Sequence, residues 1–182
     1  MTRGSHGVRR DALGTRAAET PMVSMIVLPE PNAENSYLVD HVRLLRLSLR
    51  HWTGRDLLAA EREPAEVARR VYDAPFVVLS HSPDSDPILT YGNRAAQSLF
   101  EATWDELTRM PSRLTAEAPD REERARLLAQ VGAHGYIDDY SGVRVSRTGR
   151  RFRIARATVW NLRDEAGRHC GQAATFAEWR YL

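Results

Sequence analysis

Apolar and polar residues alternate with a period of two along the last third of the chain. The alternation is clearest at residues 143–145 and 151–154, and a strand with this pattern has one buried face and one solvent-facing face. Between them, residues 147–150 predict a tight turn, in which Gly149 can adopt the positive φ that the turn requires. Residues 170–176 predict a third strand after a polar segment that ends in glycine. We expect these strands to form a meander.

Residues 36–53 show the spacing of an amphipathic helix, with Ser36 as its N-cap and Gly54 at its end. Such a helix needs a surface to cover its apolar side. That side consists of five residues, Leu38, Val42, Leu45, Leu49 and Trp52. Two interpretations are open: the helix flanks its own domain, or these residues form a helix–helix dimer contact. A two-heptad helix is marginal in water alone, so a dimer would also need contacts from the sheet.

The middle of the chain predicts alternating short strands and helices. Pro64 suits a first helical position, and the apolar run at 76–79 is typical of a central strand covered on both faces. Asn93 is expected to cap the helix that follows it or to contact a ligand. Asp120 and Glu123 resemble a capping box at the start of the last helix. The predicted elements are helices at 64–73, 94–100, from Trp104, and at 121–131, and strands at 76–79 and 88–91.

Whole phrases of this sequence, among them GYIDDYSG, GRRFRI and ATVWNL, resemble the MEKHLA family. The order of strand, asparagine, short helices and meandering strands is likewise similar to a PAS domain. The MEKHLA module is PAS-like; it ends plant class III homeodomain-leucine zipper proteins and also occurs as a stand-alone bacterial protein. The resemblance covers residues 34–182. It implies an α+β fold, a PAS-like antiparallel sheet covered by short helices with an N-terminal helical extension, but no particular reaction.

The chain is expected to consist of three segments. These are a disordered tail at 1–33, the N-terminal helical extension at 34–74 and the PAS-like (MEKHLA) domain at 75–182. The first 20 residues are rich in Gly, Ser, Thr, Pro and Arg and lack periodicity, so they would not bury enough apolar surface to fold. Because the sequence ends shortly after Phe176, we expect no attached kinase, cyclase or DNA-binding output domain.

Composition narrows the class of protein. A chain of 182 residues with 42% hydrophobic content suits one globular domain with extensions. No apolar stretch approaches the roughly 20 residues of a membrane span, and no signal peptide is indicated, so we expect a cytoplasmic protein that does not contact a membrane. All 26 basic residues are arginine, which excludes mechanisms that use a Schiff-base or P-loop lysine. The net charge of only +2 argues against nucleic acid as a partner.

Sequence motifs for metal binding and cofactor chemistry are missing. The six histidines show no i,i+4 pair, and there is no HExxH or paired CxxC, so we expect no metal site. Some PAS domains bind haem through one histidine, for which His134 and His169 would be the candidates. Flavin-binding PAS relatives carry their reactive cysteine on a helix in an Asn-Cys-Arg signature, whereas Cys170 precedes the last strand. Haem and flavin therefore stay open as cofactors, but neither is indicated.

Asp138 and Asp139 form the only constellation that resembles acid-base machinery. Adjacent strand residues point to opposite faces, so at most one of them would face a substrate. A buried carboxylate would need an arginine partner such as Arg153 or Arg156, and the structural alternative is a salt bridge or a charged strand edge. We expect no enzyme and assign no catalytic residue. The alternatives are a small enzyme that uses Asp138 or Asp139 and a regulator that contacts nucleic acid.

A ligand pocket is expected between the sheet and the helices that follow Asn93. The predicted ligand-binding residues are Asn93, Phe100, Trp104, Tyr136, Tyr140, Phe152, Ile154, Trp160 and Phe176. Phe152 and Ile154 share a strand face, whereas Val159 and Trp160 cannot both point inward. The arginines at 144, 147, 150, 151, 153 and 156 are expected on the outward face. The alternative is a filled core without a cavity.

These patterns together predict a sensory, ligand-binding or protein-interaction module. Ligand occupancy would shift the helix at 36–53 and thereby change a homodimer or partner contact. This requires the ligand to bind the two arrangements with different affinity.

Overall fold

The computed structural model describes Met1 and residues 28–58 and 63–182, without the side chains of residues 118–120. The tail predicted at 1–33 lies mostly outside these ranges, and the division into three segments stays a prediction. The described elements are those of an α+β protein in which one antiparallel sheet is covered by helices. The predicted fold class is confirmed.

Six strands form the sheet, and β4 is the longest. They are β1 (Val77–His81), β2 (Leu89–Gly92), β3 (Tyr136–Val145), β4 (Arg151–Arg163), β5 (His169–Phe176) and β6 (Glu178–Tyr181). The order is β2-β1-β5-β4-β3, and β6 pairs with the first residues of β4. β1 pairs on both sides and is buried throughout, which confirms the predicted central strand. β6 was missed because its four alternating residues are too few to stand out.

The described part of the chain contains five α-helices. They are α1 (Val39–Thr53), α2 (Pro64–Tyr72), α3 (Arg94–Phe100), α4 (Trp104–Leu107) and α5 (Ala118–His134). α3 has the predicted bounds and α4 begins at Trp104 as predicted. α5 is longer than the predicted 121–131, and its N-cap is Glu117 rather than Asp120. A capping box occurs instead at α4, where the Thr103 hydroxyl accepts from the Glu106 amide.

Helix α1 begins later than predicted. Ser36, Tyr37 and Leu38 form a short 3-10 segment with φ values of 50, 54 and 55°, which is left-handed backbone. Ser36 is therefore not the N-cap of α1. Gly54 ends the helix as predicted, with φ 71° and its N–H donated to the carbonyl of Arg50.

Helices α1 and α2 cover one face of the sheet. Val42, Leu45 and Leu49 are at most 3% exposed and belong to a core cluster with Trp160 and Leu162 of β4. The indole N–H of Trp160 donates to the main-chain oxygen of Leu45 over 3.3 Å. We call this side of the sheet the α1 face. Its large buried side chains fix α1 on the sheet of its own chain.

This packing corrects the predicted dimer contact. The residues assigned to that contact were Leu38, Val42, Leu45, Leu49 and Trp52. The three central residues are buried within their own chain, and the outer two pack against the same cluster. The helical spacing identified the apolar side of α1 but not the surface that covers it. The flank interpretation describes this arrangement.

The opposite side of the sheet, which we call the α5 face, carries α3 and α5. Phe152 and Ile154 are buried there in one cluster, and Val159 packs with Leu127 and Val131 of α5 in another. Arg156 has φ 50° in the middle of β4, and this irregularity shifts the alternation of side chains by one residue. Val159 therefore points to the α5 face and its neighbour to the α1 face.

Candidate functional site

A cavity of about 70 Å³ lies between α5 and the sheet. Its apolar lining is Leu79, Leu89, Phe100, Leu127, Leu128, Ile154, Ala157, Val159, Ala173, Ala174 and Phe176. Its polar lining is Ser80, His81, Thr115, Arg124, Tyr140, Arg144 and Gln172. Strands β1 to β5 contribute to its floor and walls, and α5 covers it. This is the arrangement in which proteins bind small molecules, an apolar hollow with a few convergent polar groups.

Four of the nine predicted ligand-binding residues line this cavity, namely Phe100, Tyr140, Ile154 and Phe176. Phe152 belongs to the same core cluster and contacts Phe100 edge to face at 5.2 Å between ring centroids. Phe152 therefore supports the cavity wall without being part of it. The pocket predicted between sheet and helices is present, but its lining is only partly the predicted one.

The other four predicted residues lie elsewhere. Trp160 and Trp104 belong to the cluster of the α1 face, where the Trp104 indole N–H donates to the main-chain oxygen of Leu28 over 2.9 Å. Tyr136 is 37% exposed. Asn93 is fully buried, and its side chain is occupied by hydrogen bonds within the fold. These four residues are corrected from ligand contacts to structural or surface positions.

Asn93 joins three elements through its side chain. Its Oδ1 accepts from the amides of Ala96 and Val78, at 3.1 and 3.0 Å. Its Nδ2 donates to the carbonyl oxygens of Phe76 and Val71, at 2.7 and 3.2 Å. These bonds use both donor hydrogens and both acceptor positions of the amide, so Asn93 has none left for a ligand. The predicted helix cap is confirmed.

Arg144 brings a buried positive charge to the cavity. The residue is 7% exposed, and its guanidinium carbon lies 5.2 Å from the ring centroid of Tyr140. It donates hydrogen bonds to the Tyr140 hydroxyl at 3.0 Å and to the main-chain oxygen of Val143 at 2.7 Å. Arg144 was predicted on the outward face, and that prediction is wrong. Arg144 of β3 pairs with the buried Phe152 of β4, so the two lie on the same face of the sheet, whereas the prediction placed Val143 and Val145 on the buried face.

Arg124 of α5 brings a second positive charge to the same cavity. Burial, and after it the neighbouring charge of Arg144, lowers the pKa of Arg124 to about 10. Among the residues that the structure describes, neither arginine forms an ion pair with a carboxylate. The sequence analysis missed Arg124, which stands in a charged run on α5 and differs from its neighbours only in lying one turn before Leu127 and Leu128.

His81 places a neutral imidazole at the cavity wall. It is 9% exposed, and its Nδ1 lies 2.8 Å from the main-chain oxygen of Ser82. Because a carbonyl oxygen only accepts, Nδ1 carries the proton and Nε2 is left as an acceptor. Nε2 is buried and has no hydrogen-bond partner among the residues that the structure describes. Burial lowers the pKa of His81 to about 4, so the ring stays neutral at pH 7.

Gln172 and Asn161 connect the cavity to both covering helices. Gln172 Nε2 donates to the main-chain oxygen of Leu128 on α5 at 3.0 Å and to Asn161 Oδ1 at 2.9 Å. Asn161 Nδ2 in turn donates to the main-chain oxygen of Val131, near the end of α5, at 2.9 Å. The main-chain oxygen of Asn161 accepts from the indole N–H of Trp52 on α1 at 2.9 Å. We call this group of contacts the Asn161 junction.

Gly135 completes the junction at the end of α5. It has φ 94°, and a Cβ at this position would lie 2.2 Å from the Trp52 ring. Only glycine satisfies both the backbone conformation and this close approach. The main-chain oxygen of Gly135 accepts from the Asn161 amide at 2.8 Å. The end of α5 is therefore held directly against α1.

Asp138 and Asp139 do not meet at a catalytic site. Asp138 accepts from Arg55 at 2.7 Å and from the Thr158 hydroxyl at 2.6 Å. Partial burial raises the pKa of Asp138, but the hydrogen bonds from Arg55 and Thr158 outweigh it and hold that pKa below its usual value. Asp139 is exposed. The arginine partner of Asp138 is Arg55 rather than the predicted Arg153 or Arg156, and the pair is a salt bridge between the segment after α1 and the sheet.

Most arginines on the outer side of the sheet are neutralised by acidic neighbours. The ion pairs are Arg147 with Glu106, Arg150 with Glu101, Arg151 with Glu117 and Arg156 with Glu178. This pairing leaves little of the basic surface that nucleic-acid binding would use. No group of three or more metal-ligating side chains occurs among the described residues. None of the helices within the described ranges is long and apolar enough to cross a membrane.

Solved structures share this fold. A PAS domain from Colwellia psychrerythraea matches with a TM-score of 0.54 at 12% identity, covering 64% of this chain and 94% of that one. A fungal LOV domain photoreceptor matches with a TM-score of 0.54 at 14% identity, covering 82% of this chain and 96% of that one. At these identities the likeness concerns the fold alone.

Haem and flavin do not fit the residues present. The cavity of about 70 Å³ is far smaller than the roughly 300–1,000 Å³ of pockets that hold larger ligands. Cys170 packs on the cluster of the α1 face, and its thiol lies 3.4 Å from the main-chain oxygen of Arg168. His134 and His169 are exposed. None of the three candidate residues lines the cavity.

Sequence comparison identifies the family. The homeobox-leucine zipper protein ATHB-9 of Arabidopsis thaliana is 24% identical over 170 residues, covering 88% of this chain. The match covers 20% of that protein, so this chain spans about a fifth of the length of the curated relative it matches. The family model of the MEKHLA domain matches residues 39–181, which includes α1 and every strand of the sheet. The chain therefore belongs to the MEKHLA domain family and has a PAS-like fold.

Proposed function

We propose that this protein is a sensory module that binds a small molecule in the cavity under α5 and changes its contact with a partner in response. The cavity itself carries the proposal, because it lies between the sheet and α5 and combines apolar walls with a few polar groups. A photoreceptor domain among the structures of the same fold is a precedent for sensing by this architecture. A cytoplasmic location and a bacterial origin stay predictions from the sequence.

The Asn161 junction supports a route from the cavity to α1. A ligand that moves α5 would pull on the carbonyl groups of Leu128 and Val131, which Gln172 and Asn161 hold. Asn161 also holds Trp52 on the other face, so the strain would reach α1. The ligand must bind the two arrangements with different affinity for such a shift to occur.

Partner contact is proposed at the outer side of α1. Leu47 is 44% exposed and Leu44 is partly buried, and both line a groove of about 500 Å³ between α1 and the turn that joins β4 to β5. The homodimer predicted from the sequence stays a proposal. If α1 takes part in it, Leu44 and Leu47 are available for the contact, whereas Leu45 and Leu49 are not.

A non-enzymatic role is part of the proposal. The rival enzyme would use Asp138 or Asp139, but the oxygens of Asp138 are engaged by Arg55 and Thr158, and Asp139 is away from the cavity. The rival nucleic-acid regulator would use the outer arginines, most of which are paired with carboxylates. The cavity favours small-molecule binding over both.

Native mass spectrometry of the purified chain tests the proposal, with an absorption spectrum of the same sample. We expect a stoichiometric added mass in the wild type and in the exposed control Arg153→Ala. Ala174→Leu, which narrows the cavity, should lose that mass. A bare wild-type mass, together with unmoved methyl NMR signals of Leu127 and Val159 across a metabolite library, would contradict the proposal.

A further inference from the structure

We propose that the ligand of this cavity is a small hydroxycarboxylic acid, whose carboxylate binds Arg124 and Arg144 and whose hydroxyl donates to Nε2 of His81. The inference rests on the proposed function, since it names the chemical class of the ligand of the same site. It is carried by the charge and hydrogen-bonding capacity of three side chains in the cavity wall.

The first step concerns charge. Arg144 is 7% exposed, and its described partners are a hydroxyl and a carbonyl, which are neutral acceptors. Arg124 has no hydrogen bond or ion pair among the described residues, and the charge of Arg144 acts on it. A buried cation and a partly buried one that lack a counter-charge among the described residues are costly to the fold. An anion between them would remove that cost, and guanidinium groups match carboxylate oxygens in geometry.

The second step concerns the unpaired acceptor. Nε2 of His81 is buried and finds no hydrogen-bond partner within the described ranges, and Nδ1 keeps its proton because it faces a carbonyl oxygen. Leaving a buried acceptor unpaired costs stability. Burial is the main cause of the low pKa of His81, the charge of Arg124 lowers that pKa further, and the side chain of Gln172 acts in the opposite direction. The ring is therefore neutral, and its Nε2 can accept a hydrogen bond from a donor on the ligand. A hydroxyl group on the anion supplies that donor.

The third step concerns size and polarity. A cavity of about 70 Å³ has room for about two or three water molecules, which is less than the five or six heavy atoms of a hydroxy acid with two or three carbons. Only the smallest such acids are therefore candidates, and they enter only if α5 moves outward, as the proposed function requires. Leu127, Val159 and Phe176 line the same cavity and would contact the carbon atoms of such an acid. Inorganic anions would leave these apolar side chains without a partner.

The test measures binding of three matched probes to the full chain by calorimetry, at constant ionic strength. The probes are lactate, propionate, which lacks the hydroxyl, and lactamide, which lacks the charge. We expect lactate to bind at one site, propionate at least about fivefold more weakly and lactamide at least about tenfold more weakly, in line with a lost hydrogen bond and a lost charge pair. Equal affinity for lactate and lactamide would overturn the anion site, and equal affinity for lactate and propionate would overturn the contact with His81.

Two variants keep the test independent of any one substitution. Arg124→Met and Arg144→Met retain the apolar stem and remove the charge, and Arg153→Met on the exposed side of β4 is the control. Each cavity variant should lose at least about tenfold in lactate affinity, and the control should change less than twofold. Removing an uncompensated charge should also raise the thermal midpoint of the ligand-free protein. Unchanged lactate affinity in both variants would overturn the proposal.

The outcomes separate this inference from the proposed function. If no probe binds while native mass spectrometry shows a different bound molecule, the hydroxycarboxylate is wrong and the sensory module stands. If inorganic phosphate binds and lactate does not, the organic ligand is wrong. If no probe binds and the purified chain is bare with unmoved cavity signals, both proposals fail.

Discussion

The two faces of the sheet are packed in different ways. On the α1 face, large side chains such as Trp160 and Tyr72 are almost completely buried, and the Trp160 indole N–H has a main-chain partner on α1. On the α5 face, the helix contributes only a few apolar side chains, and the sheet beneath it retains a cavity with two arginines and a histidine. One covering helix is therefore anchored by a filled core, and the other lies over a partly empty one.

This difference assigns separate tasks to the two helices. A filled core at the density of protein interiors resists any change of volume, so α1 is suited to hold the fold together. A ligand that fills a cavity with unpaired polar groups stabilises the folded protein, so α5 is suited to respond to it. The Asn161 junction joins the two, because both helices bond to the same residue.

Trp160→Ala should give the largest loss of stability. The side chain is fully buried on the α1 face, and its removal leaves a cavity in a packed core. We expect the free energy of unfolding to fall by about 3–5 kcal/mol, measured by urea denaturation. Tyr136→Ala is the control, because Tyr136 pairs with Trp160 across β3 and β4 but is 37% exposed. A loss at Tyr136 as large as that at Trp160 would contradict the account.

Adding volume at two adjacent residues compares the faces within one strand. Ala173 borders the cavity but packs in the core cluster of the α1 face, whereas Ala174 packs with the residues of the α5 face and lines the cavity. Ala173→Val should destabilise the protein by about 1–3 kcal/mol because it overpacks a filled core. Ala174→Val should cost less than about 1 kcal/mol or stabilise, because the cavity accepts the added methyl groups. Equal losses in the two denaturation curves would show that the faces are packed alike.

His81→Gln should change how stability depends on pH. The folded ring has a pKa of about 4, while the unfolded chain takes up a proton below about pH 6.5. Stability is therefore lost as pH falls from 7 towards 4, and about 1 kcal/mol of it should be gone by about pH 5.5. Between pH 7 and about pH 5.5, the free energy of unfolding of the variant should fall by about 1 kcal/mol less than that of the wild type, as measured by denaturation at the two pH values. His41 on the α1 face has a similarly low pKa and keeps its own contribution in both proteins. Equal losses of stability in the variant and in the wild type would contradict the low pKa assigned to His81.

Local sequence patterns predicted the elements well. The turn at Gly149, which has φ 91°, the central strand β1, the bounds of α3 and the end of α1 at Gly54 followed from alternation, spacing and cap residues. These features depend on residues that are close in the chain. The resemblance to the MEKHLA family implied the fold class, an antiparallel sheet covered by short helices, whereas the full order of the strands in the sheet was not predicted.

The site was predicted less well, because it depends on which way strand residues point. The irregularity at Arg156 reverses the alternation within β4, and arginine is not a residue type that indicates a positive φ in the sequence. It turned Trp160 away from the cavity. Arg144 lies in the cavity because it pairs with the buried Phe152, and this pairing between strands is not visible in the local alternation. The predicted dimer contact along α1 was wrong for a related reason. The spacing of residues shows that one side of a helix is apolar but not which surface covers that side.

Native-state hydrogen exchange of α1 and α5 tests most directly whether the two faces differ. The account predicts that the amides of α5 (Ala118–His134) exchange through a local opening at least about 2 kcal/mol below the free energy of unfolding, whereas the central amides of α1 (Val39–Thr53) exchange only through global unfolding. If the amides of both helices exchange only through global unfolding, α5 is not the helix that opens for a ligand and the distinction between the faces is wrong.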